Sequence, residues 1–228
     1  MNLRIVFLSI LTATALTSQS AAAQEDYRFE AGAGVGMTGY LGDANNANLW
    51  RNPGFDAELL LRYIISPRLA LKTNAYVATL RGNSAQMTDV LPGAATYKFS
   101  TTMWELGELF EFNFFNFGEG ETYRKLRRWT PYITAGLGLN CWSIDKVVRA
   151  SFCIPLGAGI KWKIAERINL GFEFLMKKVF SDKVDGPVLD DPYGIRSSFA
   201  KNTDWYSTMS LTVSYEFGLR CATCHYKD

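Results

Sequence analysis

The chain has 228 residues and a formal net charge of +2, a balance that argues against nucleic acid as its main partner. Its length suits one domain behind an export signal. The mean hydropathy of −0.04 does not exclude a membrane protein, because half of every barrel strand is polar and hides the protein from hydropathy scans.

The N-terminus reads as a signal peptide. Arg4 supplies the positive end, and Ile5 to Leu16 form an apolar core too short to span a bilayer as a helix. Ala21-Ala22-Ala23 fits the small-residue cleavage rule, so the mature chain is expected to begin at Gln24. No cysteine near that site offers a lipid anchor, and no later segment holds the ~20 continuous apolar residues of a membrane helix. An exported chain of this kind is either soluble or a barrel.

The mature part alternates apolar and polar residues with period two in about eight stretches. The first, over 27–40, turns Phe29, Ala31, Ala33, Val35 and Met37 outward, and Arg28, Glu30 and three glycines inward. The second, 55–64, sets Phe55, Leu59 and Leu61 against Asp56, Glu58 and Arg62, and the turn Ser66-Pro67-Arg68 ends it. The third spans 69–80, with Lys72, Asn74 and Tyr76 inward. The fourth, 102–115, directs Trp104, Leu106, Phe110, Phe112 and Phe114 outward together with Glu108, a costly position in mid-membrane. Either a bulge re-aims that carboxylate or a partner covers it. Stretches over 130–141, 154–164 and 168–180 follow, the last two joined by a short turn at Ala165-Glu166-Arg167. The clearest runs over 205–217, where Met209, Leu211, Val213, Tyr215 and Phe217 oppose Ser210, Thr212, Ser214 and Glu216.

This pattern predicts an all-β fold, an eight-stranded antiparallel outer-membrane β-barrel with an N-terminal signal peptide. The expected divisions are a signal peptide at 1–23, the barrel at 24–218 and a periplasmic tail at 219–228. An even strand number puts both mature termini on the periplasmic side. Two of the three periplasmic connections are then tight, and the third, 116–129, is long and basic. Its Arg124, Lys125, Arg127 and Arg128 suit plain solvation, anionic lipid headgroups or a docked protein. Aromatic residues, at 14%, would band the two membrane interfaces.

Eight strands enclose an interior that side chains fill. The inward charges Asp56, Glu58, Arg62, Lys72, Glu105, Glu111, Lys161, Lys163, Glu173 and Glu216 carry both signs and can pair there. The interior therefore reads as a plug of salt bridges, and the barrel as an anchor. Ten or more strands, with a pair hidden in the 81–100 loop, would weaken that reading.

No arrangement points to catalysis, metal or a cofactor. The single histidine, His225, lies in the tail, an improbable place for a catalytic triad. Gly32-Ala33-Gly34-Val35-Gly36 lies within a strand and so fails the structural test of a dinucleotide loop. Cys221-Ala222-Thr223-Cys224-His225 has the spacing of covalent haem attachment, but so short a tail offers no fold to shield a haem. A local disulfide, or one to a periplasmic partner, suits it better. Cys141 and Cys153 flank one predicted outer loop and could bridge, although alternation turns the first out and the second in.

Six stretches together resemble the PorG-like outer membrane proteins of the type IX secretion system in Bacteroidetes-type bacteria. They are Gly36-Met37-Thr38-Gly39-Tyr40-Leu41-Gly42-Asp43, Ser66-Pro67-Arg68-Leu69-Ala70-Leu71, Phe110-Glu111-Phe112-Asn113-Phe114-Phe115, Thr130-Pro131-Tyr132, Ile154-Pro155-Leu156-Gly157-Ala158-Gly159 and Asn202-Thr203-Asp204-Trp205-Tyr206. The resemblance implies a non-enzymatic barrel, in contact with outer-membrane lipids, that ties a periplasmic ring of PorK and PorN to the membrane. It implies no catalytic residues. Topology assigns the ring contact to Arg124, Lys125, Arg127 and Arg128 and to the tail residues Cys221, Cys224 and His225.

Overall fold

Eight antiparallel strands close on themselves in sequence order. They are β1 (Tyr27–Leu41), β2 (Gly54–Ile64), β3 (Leu69–Asn83), β4 (Lys98–Asn113), β5 (Trp129–Ile144), β6 (Val147–Ala165), β7 (Ile168–Val179) and β8 (Trp205–Leu219). The computed structural model describes residues 27–41, 50, 52–83, 98–119, 125–144, 147–180 and 205–219. The predicted signal peptide, the cleavage site and Arg124, Cys221, Cys224 and His225 lie outside the described residues. The hidden strand pair weighed within 81–100 falls partly there as well; the ring of the described strands closes without one.

Closure follows from pairing β1 with β8 over a long register, from Tyr27 opposite Leu219 to Leu41 opposite Trp205. None of the described strands is left as an edge, so their backbone donors and acceptors face a neighbour, as a sheet in hydrocarbon requires. Among the described residues no helix is long and apolar enough to cross a membrane. The crossing belongs to the strands.

Side chains alternate across the wall as their sequence does. Along β2 buried and exposed positions alternate almost without exception. The outward face is broadly apolar: Val35, Leu59 and Leu137 are each about two-thirds exposed, at 67%, 66% and 66%. Such a continuous apolar belt suits acyl chains, not water. Trp129, Trp162, Tyr63 and Phe217 stand on this face near the turn end, and Trp104, Phe55 and Phe152 towards the other. These are the two expected aromatic bands.

Two tight connections lie at the end that also holds both barrel termini. Between β2 and β3, Ser66 Oγ accepts from the Leu69 amide at 3.1 Å, and the Ile65 amide donates to the Leu69 carbonyl at 3.0 Å. Pro67 supplies a fixed φ at the corner. Between β6 and β7 the register shifts at Lys163/Ala165, and Glu166-Arg167 makes the turn.

Several strands run beyond their predicted bounds. The largest change is at β6, expected from residue 154 and found from Val147. β5 and β6 thus form a tall hairpin, with Trp142 opposite Arg149 and Cys141 opposite Ala150. Val148, Ala150 and Phe152 alternate with Arg149, Ser151 and Cys153, so the period-two signal extends into a stretch expected to be loop. β3 likewise continues to Asn83 and β4 starts at Lys98. β4 ends at Asn113, two residues before its predicted end.

Candidate functional site

The lumen is packed with charge. The ten charges expected to fill the plug are all buried, as is Glu30, and Lys177 joins them. Arg28, expected to face inward with Glu30, is instead exposed, because it lies at the very start of β1 where the wall ends. Lys177 follows from the same alternation, since Met176 before it faces outward, but the sequence-based set of interior charges does not include it.

Glu111 is the centre of the turn-end half. Arg62 Nη2 donates to its Oε1 at 3.0 Å, and Lys161 Nζ donates to its Oε2 at 2.7 Å. Arg62 also holds Glu30 at 2.5 Å, and Ser214 donates to that same carboxylate. Lys72 Nζ reaches both oxygens of Glu173, at 2.6 and 2.7 Å, and lies 3.6 Å from Glu111. The Tyr132 hydroxyl donates to Glu173 at 2.7 Å. Nearer the turns, Lys163 Nζ donates to Glu216 at 2.7 Å, and Asn169 Nδ2 donates to the other Glu216 oxygen at 2.8 Å. Buried charges persist only when paired and hydrogen-bonded, and these meet that condition.

Glycine makes this density feasible. The Tyr132 ring lies across Gly159 so closely that a Cβ there would come within 2.6 Å of its Cζ and Oη. Any larger residue at 159 would push the hydroxyl away from Glu173.

The other half differs. Lys177 Nζ donates to both Glu105 oxygens, at 2.9 and 3.0 Å, Tyr206 donates to the same carboxylate, and the ammonium sits 3.6 Å from the Tyr76 ring centroid. Beside this group, Leu80, Met103, Trp142, Cys153, Val179 and Tyr206 form an apolar cluster. Ser210 donates to Glu58 at 3.0 Å, but among the described residues Asp56 finds no hydrogen-bond donor for either oxygen.

The bridge left open between Cys141 and Cys153 does not form, and both are free thiols. Cys141 is exposed on the outer wall, while Cys153 is buried in the lumen near Asn140. Because β6 begins early, Cys153 stands opposite Gly138, three positions from Cys141. Opposite faces of the wall and a mismatched register both forbid the bond.

The described parts of the basic connection between β4 and β5 are tied to each other. Phe117 and Arg127 form an isolated bridge, with the Gly118 amide donating to Arg127 at 3.0 Å and the Arg127 amide to Asn116 at 2.8 Å. Arg68 Nε donates to Asn116 Oδ1 at 2.8 Å, which ties this clip to the neighbouring turn. The Arg127 guanidinium lies 4.4 Å from the Phe115 ring centroid, and Phe115 packs edge-on against Trp129. Lys125, Arg127 and Arg128 remain exposed, and Arg128 pairs with Glu119 at the surface. The structure thus gathers three of the predicted partner residues at the turn end beside Arg68.

Residues 4–226 match the family model described as Domain of unknown function (DUF6089). The chain belongs to this family. No curated protein matches it in sequence. Among solved structures it is similar to Neisserial surface protein A (NspA), at 13% identity and a TM-score of 0.53, over 83% of this chain and 97% of that one. A major outer membrane protein from Thermus thermophilus aligns at 12% identity and a TM-score of 0.47, over 83% and 99%. Ail, the attachment invasion locus protein of Yersinia pestis, aligns at 11% and 0.45, over 83% and 99%. The likeness to NspA agrees with the closed ring and apolar exterior: this member of DUF6089 has the fold of an eight-stranded outer-membrane barrel.

Proposed function

We infer that the protein is a non-enzymatic outer-membrane scaffold of the type IX secretion system, which anchors the periplasmic PorK/PorN ring to the membrane. The observation that carries this reading is the division of labour in the barrel. The lumen is occupied by ion-paired side chains, with Glu111 alone engaging Arg62, Lys161 and Lys72. A conduit would need that space. The exposed basic chemistry is concentrated instead on the ordered clip with Lys125, Arg127 and Arg128 and on Arg68 next to it. With both termini periplasmic, that clip faces the compartment in which a ring would assemble. The resemblance to PorG-like proteins names the ring. Cys221, Cys224 and His225, in the tail, would add to the same surface.

Gentle detergent extraction of the full-length protein tests this directly. PorK and PorN are expected to co-purify, and the triple reversal Lys125→Glu, Arg127→Glu and Arg128→Glu should deplete them while the barrel still folds. Recovery of the barrel alone, with signal-bearing cargo still exported after deletion of the gene, sinks the reading. The fold likeness to NspA favours one alternative, a generic structural or adhesive barrel. In that case changes in the outer loops abolish function and the triple reversal has no effect.

A further inference from the structure

The outer wall carries one charge where it should carry none. From Phe29 to Met37 on β1, and across the matching height of the other strands, the outward positions are apolar or small. Among the described residues Glu108 is the single charged side chain inside that belt. On the outward face of β4 it stands between Leu106 and Phe110, which are 58% and 47% exposed, and its β5 neighbour is Leu137. The register of β4 is unbroken on both sides, with Thr73 and Leu137 directly across from Glu108. Of the two explanations open from sequence, the bulge is therefore ruled out. Thr73 Oγ1 donates to Glu108 Oε2 at 2.7 Å, the only hydrogen bond this exposed carboxylate makes among the described residues.

A carboxylate facing acyl chains is costly, and one hydroxyl does not replace its hydration. Lipid headgroups carry their cations at the interfaces, not at this depth. A second copy of the chain cannot supply a cation either. At the height of Glu108 the described outward face holds no Lys or Arg: Arg81 and Lys178 lie towards the outer ends of β3 and β7, and Arg167 lies in a turn. A symmetric contact through this patch would set two carboxylates together. Charge complementarity thus leaves one kind of occupant.

We propose that the β3–β4–β5 face of the barrel, centred on Glu108 and Thr73, is a lateral docking surface for a different membrane-embedded protein that presents a Lys or Arg side chain at mid-bilayer depth. This surface is separate from the periplasmic clip, so it goes beyond the scaffold reading and its failure is separable from that of the ring contact. The Thr73 hydroxyl orients the carboxylate, and Leu106, Phe110 and Leu137 supply the apolar surround that excludes water from the pair.

The test uses the full-length protein in its native outer membrane, with a photo-crosslinking amino acid at Leu137. The expected result is one membrane-protein adduct whose crosslinked peptide includes a basic residue in a membrane-spanning segment. Its yield falls about tenfold or more in Glu108→Leu, while a crosslinker at Val213, on the far wall, gives no such adduct. Glu108→Lys combined with reversal of the partner's basic residue to Glu restores the adduct. For the purified barrel in vesicles, Glu108→Leu is expected to raise the urea midpoint, because the isolated protein only loses a lipid-facing charge. The proposal is overturned if the adduct persists in Glu108→Leu, if Leu137 crosslinks only to lipid or to another copy, or if Glu108→Leu destabilises the isolated barrel. Adducts from the periplasmic clip are unaffected in each case, which keeps the two readings apart.

Discussion

The two halves of the lumen solve the same problem differently. In the turn-end half four buried acids, Glu30, Glu111, Glu173 and Glu216, meet four buried bases, Arg62, Lys72, Lys161 and Lys163. In the outer half three buried acids, Asp56, Glu58 and Glu105, share a single buried base among the described residues, Lys177. The first half is a balanced, cross-linked plug that ties β1, β2, β3, β4, β5, β6, β7 and β8 across the interior. The second relies on one tripartite contact, Lys177 with Glu105 and Tyr206, and on an apolar cluster. The cross-linked half therefore lies at the turn end, beside the clip that the proposed ring contact would use.

The sharpest way to break this contrast is Glu111→Ala. It leaves Arg62, Lys72 and Lys161 with one counter-charge fewer, and the barrel should lose roughly 3–5 kcal/mol, read as a lowered urea midpoint by tryptophan emission in vesicles. Lys177→Met follows. It strands Glu105 with only Tyr206 and should cost somewhat less, about 3 kcal/mol. The double variant Lys177→Met with Glu105→Gln should recover most of that loss, because the uncompensated charge goes with its partner. A double variant no more stable than the single one would show that Glu105 is not held by this pair. Asp56→Asn runs the other way. Its carboxylate has no hydrogen bond to lose among the described residues, so stability should stay level or rise by about 1 kcal/mol. A fall of that size would mean Asp56 is satisfied in the native membrane. Smallest of all, Arg128→Ala removes a surface pair with Glu119 and should shift the midpoint by no more than about 1 kcal/mol, although the proposed ring contact would use the same residue.

Much of this is legible in the sequence because it is local. The faces of Asp56, Glu58 and Arg62 can be read from three residues on either side of each. Lys177 is equally legible by parity. The early start of β6 is harder, since Pro155 and the unpaired look of Arg149 conceal a hairpin that continues to Val147. The free state of Cys141 and Cys153 depends on which residues stand opposite each other, and one strand cannot reveal that. Glu108 stands out in sequence as an anomaly, but its resolution requires the register of three strands.

By itself the amino-acid order determined the strands, their inward and outward faces and the sign of every charge in the lumen, because period-two alternation is a property of neighbouring residues. Which charge meets which was decided only by closure of the barrel. Lys72 and Glu173 are separated by 101 positions and lie on β3 and β7, strands that never pair in the sheet. Their contact exists only because a closed ring of eight tilted strands brings opposite walls within the reach of two side chains.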